Sequence, residues 1–282
     1  MCRLFARISA EPYPATFGML EAPDSVEEQS RREPDGYGIG TFDTHDAPHV
    51  IRRAKAAFQD RAFPREAHEL RSRIFLAHIR FATNGADLER NTHPFVQHGR
   101  ILAHNGVVHG LDELEARLRP AYRALVAGDT DSERVFALIT QETDDHGGDV
   151  TAGIVAATSW IAATLPLYAV NILLATPHEL WALRYPQTHG LLWLDEREEQ
   201  SRKHVDRRRR LRFGVDLPAP GIGVASEAMG EGRDWRPLES GELLHVGADL
   251  EPVVTTVLPD PPAHPLTLDD LGVRAAAAQH ER

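Results

Sequence analysis

The 282-residue chain contains one cysteine, Cys2, so no disulfide can close within it and cysteine-rich zinc patterns are excluded. It has no long hydrophobic run either. The most apolar region, residues 154–170, is broken by Thr158, Ser159, Thr164 and Pro166 and falls short of the roughly 18 residues that a membrane span needs. Positive charge is in deficit: 31 Lys and Arg against 42 Asp and Glu give a net charge of −11, which disfavours nucleic acid or an anionic membrane as partner. Basic residues cluster only at Arg202-Lys203 and at residues 207–210. There Asp195, Glu196, Glu198, Glu199 and Asp206 flank or interrupt them, as in a solvated loop of mixed charge. The first fourteen residues lack the apolar core and small-residue cleavage site of a secretory signal, so a reducing cytoplasm is the expected compartment.

Cofactor signatures are missing too. Gly36, Gly38 and Gly40 do not make a dinucleotide fingerprint, because Thr41 stands where a further glycine is needed, and no phosphate-cradling P-loop is present. The chain has 15 histidines, with His93, His98, His104 and His109 at short intervals, yet no HExxH or Cys/His ligand set. Neither metal nor cofactor is expected. What remains, 42% hydrophobic and 26% charged residues, is the composition of an ordinary globular protein with a sizeable core.

Periodicity divides the chain into strands, then helices, then more strands. Residues 2–10 alternate Cys2, Leu4, Ala6 and Ile8 with polar positions and predict a strand that Pro12 and Pro14 stop. Residues 35–42 (DGYGIGTF) predict a turn entering a strand, and residues 74–81 (IFLAHIRF) and 100–104 (RILAH) predict two more. Helical spacing covers residues 111–125, 130–140 (capped by Asp129 or Thr130) and 150–163. Strands are expected at 169–175, 179–185, 190–194, 222–226 and 242–246, and a peripheral helix at 266–278 follows a Pro-rich stretch. This order fits one layered α+β domain over residues 1–250, with residues 251–282 as a tail.

Removing Met1 ahead of the small Cys2 side chain leaves a thiol and an α-amine on one residue. An amine with an ordinary pKa of about 7.7–8.0 is a competent base near neutrality, so one residue supplies both nucleophile and base. Amide attack also needs donors for the oxyanion, and Asn105-Gly106 offers a side-chain amide and a backbone N–H; the pair equally reads as a tight hairpin turn. Arg80 on the strand at 74–81 presents a planar fork suited to a carboxylate, and Thr83 beyond it presents a hydroxyl.

Taken together, Met1-Cys2-Arg3-Leu4, DGYGIG at 35–40, HIRFATNG at 78–85, NTHPF at 91–95, AHNG at 103–106 and GDTDSE at 128–133 resemble the class II glutamine amidotransferases, which are N-terminal-nucleophile hydrolases. A fainter likeness continues through VASEAM at 224–229 and WRPL at 235–238. The resemblance implies a four-layer αββα sandwich of two mostly antiparallel sheets, with Cys2 as nucleophile and Asn105 and Gly106 as the oxyanion hole. Arg80, Phe81 and Thr83 would then grip the substrate carboxylate, with Phe81 where many members have tryptophan. Asp131 would bind the ammonium, leaving Asp129 to cap the helix, and His93, a pocket histidine, would shape the loop or contact the substrate carboxylate. The start Cys-Arg, against the Cys-Gly common in synthetic members, together with the limited length after residue 135, points to a stand-alone branch that includes the γ-glutamyl hydrolase of ergothioneine synthesis.

The expected reaction is hydrolysis of a γ-glutamyl amide, either glutamine or a larger conjugate, through a Cys2 thioester. A separate synthase subunit receiving the ammonia is the alternative partner. Other classes are an N-terminal hydrolase for lipid-like or penicillin-like acyl amides, which the pairing of Arg80 with Asp131 disfavours, and a non-catalytic domain that keeps the fold.

Overall fold

The computed structural model describes residues 2–14, 16–80, 88–197, 219, 221–230, 232–272 and 276. The basic run at 202–210 and the site residues Phe81 and Thr83 lie outside the described residues.

Strands β1 (Arg3–Pro14), β2 (Gly36–Phe42), β3 (Pro48–Arg53), β4 (Arg71–Arg80), β9 (Leu192–Asp195), β10 (Gly221–Ala225) and β11 (Arg236–Pro237) form a seven-stranded sheet in the order β11-β9-β10-β1-β4-β2-β3. The second sheet has six strands, β5 (Phe95–Gln97), β6 (Arg100–Val108), β7 (Leu167–Ala175), β8 (Leu180–Arg184), β12 (Glu242–Val246) and β13 (Pro252–Thr256), in the order β13-β12-β8-β7-β6-β5. All these pairings are antiparallel. The helices are α1 (Val26–Gln29), α2 (Phe63–Glu69), α3 (Leu111–Arg117), α4 (Pro120–Arg123), α5 (Asp131–Asp145) and α6 (Val150–Thr164).

Period-two alternation sorts the side chains into layers. Leu4, Ala6, Ile8, Ile74 and Leu76 of the first sheet meet Ile101, Ala103, Leu173, Ala182 and Leu244 of the second in one buried cluster between the sheets. The alternate residues Phe5, Phe75, Ala77 and Ile79 face outward and pack under Val26 of α1 and Phe63 and Ala67 of α2. On the far side, Leu102, Ile172, Leu174 and Leu183 pack under Val135, Phe136 and Ile139 of α5 and Ile154 and Ile161 of α6. Both sheets are therefore covered on both faces, which is the expected αββα sandwich.

Several element boundaries differ from the periodicity reading. β1 does not stop at Pro12 but runs through Pro14: a register shift between Ile8 and Tyr13 leaves Pro12 outside the pairing with β4, which resumes at Tyr13–Ser72 and Pro14–Arg71. The helix expected over 111–125 is two short ones; Pro120 cannot continue α3 and instead starts α4 at its first turn. The second sheet extends past the boundary at residue 250, since β13 pairs with β12. Of the helix expected over 266–278, the described residues hold a 3-10 turn, Leu268–Asp270, and a helical Ala276; residues 273–275 and 277–278 lie outside the described residues. No helix among the described residues is long and apolar enough to cross a membrane.

Candidate active site

Cys2 precedes β1, the central strand of the first sheet, and its peptide carbonyl accepts a hydrogen bond from Asn105 Nδ2 at 3.0 Å. Asn105 shares strand parity with Ile101 and Ala103, which point into the space between the sheets, so this bond ties Cys2 to the opposite sheet. Cys2, Arg80, His93, Gly106 and Asp131 all line one cleft, together with His78, Asn91, His104, Thr130 and Ser132. Five residues singled out in the sequence thus converge from separate elements, and Asn105 reaches the same place through its bond to Cys2.

Asn105-Gly106 is not a hairpin turn. The pair lies inside β6, with Asn105 opposite Asn171 and Gly106 opposite Val170 on β7. Glycine is required there by crowding, because a Cβ on Gly106 would stand 1.9 Å from the Ala169 carbonyl oxygen. The pairing of β5 with β6 ends at Phe95–Leu102, and among the described residues no strand pairs with that edge of β6 beyond it. Amides alternate sides along an antiparallel strand. The Val108 amide leaves the ladder for Asp131 Oδ2 at 2.9 Å, while the His109 amide points the other way, to Pro166. Val170, opposite Gly106, turns its amide to Tyr185 on the β8 side, so this pair is not bonded across the ladder and the Gly106 N–H faces the edge of β6 away from β7.

Asp131 opens α5 and is 6% exposed. Its Oδ1 accepts the Ser132 amide at 2.9 Å, and with Oδ2 held by Val108 the carboxylate is fixed by two backbone donors at a helix N-terminus. Thr130, rather than Asp129, is the cap: its hydroxyl accepts the Glu133 amide. Asp129 instead latches the preceding loop. Its amide donates to Asn91 Oδ1 at 3.0 Å, its carboxylate accepts Asn91 Nδ2 at 3.3 Å, and Arg90 approaches at 3.2 Å. Thr130 and Glu133 carry the T-x-x-E spacing of a capping box, a signal that could have decided between the two residues in advance.

Three buried histidines stand around the cleft. The His78 and His93 rings lie 4.2 Å apart, and His104 Nδ1 is 2.8 Å from Ser132 Oγ. Burial, reinforced by the Arg80 charge, pushes His78 down to about 3. Burial likewise carries His93 well below its ordinary value and lowers His104, the latter against the pull of Asp131. All three are neutral at physiological pH, so none adds positive charge beside Arg80. His93 packs against His78 and Phe95 and shapes the wall. The periodicity reading did not single out His78, and it weighed His104 only as a metal ligand; among the described residues no group of three or more His, Cys, Asp or Glu could hold a metal ion.

A sequence model of the class-II glutamine amidotransferases matches residues 1–263. Among curated proteins, "Probable glutamine amidotransferase DUG3" of Saccharomyces cerevisiae is 28% identical over 169 residues, covering 53% of this chain and 47% of that protein. A glutamine–fructose-6-phosphate aminotransferase of Rhizobium meliloti is 35% identical over 124 residues, covering 44% of this chain and 20% of that protein. The chain thus spans less than half the length of these relatives. Among solved structures, a glutamine aminotransferase class-II domain protein from Silicibacter pomeroyi superposes with a TM-score of 0.64 at 21% identity, covering 92% of this chain and all of that one. The glutamine phosphoribosylpyrophosphate amidotransferase of B. subtilis gives 0.61 at 17% identity, covering 92% of this chain and 50% of that one. At such identities these two show a shared fold.

Proposed function

Because the chain belongs to the class-II glutamine amidotransferases, we propose that it hydrolyses a γ-glutamyl amide through a thioester on Cys2. The observation that carries this reading is the convergence of Cys2, Arg80, Gly106 and Asp131 on one cleft, with the Asn105 amide on the Cys2 carbonyl. Cleavage of an amino-acid side-chain amide needs a nucleophile, oxyanion donors, a cation for the carboxylate and an anion for the ammonium. Those chemical types are the ones present.

In this mechanism Met1 is removed and the α-amine of Cys2 takes the thiol proton. Sulfur attacks the γ-carbonyl carbon, and the oxyanion is received by the Gly106 N–H and the Asn105 amide. The C–N bond breaks as the amine returns the proton to the leaving nitrogen, releasing ammonia or an amine. Water, deprotonated by the same amine, then attacks the thioester, so that glutamate leaves and the thiol is restored. Arg80 pairs with the α-carboxylate and Asp131 with the α-ammonium, while the buried neutral histidines keep water and competing charge away. Use of a reducing cytoplasm suits a free cysteine nucleophile.

A second reading, delivery of ammonia to a synthase, draws on the aminotransferase relatives. Both readings are tested by intact-mass analysis joined to glutamate and ammonia release from glutamine and from γ-glutamyl conjugates. Activity with Met1 retained, or full activity in Cys2→Ala, refutes the thioester mechanism. Ammonia appearing in the medium at the rate of glutamate favours simple hydrolysis.

A further inference from the structure

One of the buried histidines beside the cleft makes contacts that the mechanism above does not use. His104 directly precedes Asn105 on β6 and is 2% exposed. It shares strand parity with Leu102 and Val108, which pack toward α5, so its ring projects to the helix side of the sheet. There it lies over Gly106: a Cβ at that glycine would stand 2.7 Å from His104 Nε2. Its Nδ1 meets Ser132 Oγ at 2.8 Å, and the Ser132 amide donates to Asp131 Oδ1 at 2.9 Å. Four residues along the same strand, the Val108 amide donates to Asp131 Oδ2 at 2.9 Å. The start of α5 is therefore pinned to β6 at two points on either side of Gly106, once through Val108 and once through the His104–Ser132 strut.

Resting on the γ-glutamyl reading above, we propose that His104 and Ser132 are positioning residues that set the distance between the oxyanion donor at Gly106 and the ammonium-binding carboxylate of Asp131, and so select substrates bearing an α-ammonium. The strut is short, buried and made of two side chains with few rotamers, so it transmits a displacement of the helix end directly to the carboxylate. A neutral ring suits the role, because a cationic His104 would compete with the substrate ammonium for Asp131.

The test compares glutamine with glutaramate, the same molecule without its α-amino group, as substrates for the full chain and for Ser132→Ala, Ser132→Thr and His104→Asn. Loss of one hydrogen bond corresponds to a fall of roughly three- to tenfold in kcat/KM. That fall is expected for glutamine in Ser132→Ala and His104→Asn, carried by KM, with a smaller loss on glutaramate and Ser132→Thr restoring the wild-type value. Equal losses on both substrates would assign the strut a merely structural role and overturn the proposal, as would unchanged discrimination. If the wild-type chain cleaves glutamine but both variants keep its preference for the α-ammonium, only the strut's role fails. If it cleaves neither glutamine nor any γ-glutamyl conjugate, the functional reading itself fails and takes the strut with it.

Discussion

Acidification should unfold this protein well before its carboxylates are neutralised, and the buried histidines set the size of the effect. His78 is held at about 3 and His189 at about 4, both by burial, against an ordinary 6.5. Above pH 6.5 neither group distinguishes the folded from the unfolded chain. Below it the unfolded chain binds protons that the folded chain refuses, so stability falls with pH until about 4 for His189 and about 3 for His78. One pKa unit corresponds to about 1.36 kcal/mol, so at pH 5 each residue costs about 2 kcal/mol and the pair about 4. His93 and His104 act in the same direction. Glu33, whose pKa burial raises, acts in the other, because its folded form takes up a proton first. Since whole domains are stable by only about 5–15 kcal/mol, the loss is a large share. Denaturant titrations followed by tryptophan fluorescence between about pH 7.5 and 5 would measure it, and His189→Gln should flatten the slope by about one proton. A midpoint that stays constant over that interval would refute the assignment of neutral buried histidines.

Further expectations concern backbone fit, capping and substrate grip. Gly38→Ala should cost about 1–3 kcal/mol, because its Cβ would stand 1.9 Å from the His93 carbonyl oxygen on the loop that lines the cleft. A melting temperature equal to wild type would show that the loop yields freely. Thr130→Ala should destabilise by about 1 kcal/mol through loss of the cap on Glu133. It should also raise KM for glutamine, because Asp131 lies in the same helical turn, and an unshifted thermal melt would contradict the cap. Arg80→Lys keeps the charge but loses the planar fork, so KM should rise on the order of tenfold with kcat nearly preserved. Unchanged KM would remove Arg80 from the carboxylate site.

The sandwich was legible in the sequence wherever local pattern decided it. The alternation in residues 2–10 and 74–81 marks strands, and the structure uses each parity for a separate core layer. The site was legible as residue types in order, because amide chemistry needs few and distinctive groups. What escaped depends on distant chain. Asn-Gly favours a turn when read locally, but pairing with β7 and crowding by Ala169 make it strand, and both belong to residues more than 60 positions away. The 252–256 strand, exposed for most of its length, shows little alternation because it lies at a sheet edge. His104 resembled a scattered ligand until α5 brought Ser132 beside it.

The position of β1 bears on how late in folding the cleft is completed. The strand that follows Cys2 lies in the chain before both of its neighbours, β4, paired at Leu4–His78, and β10, paired at Phe5–Ala225. One flank of β1 must wait for a segment about 220 residues later. Such non-local closure slows folding. It also means that Cys2 acquires its surroundings only after the two sheets have been assembled around it.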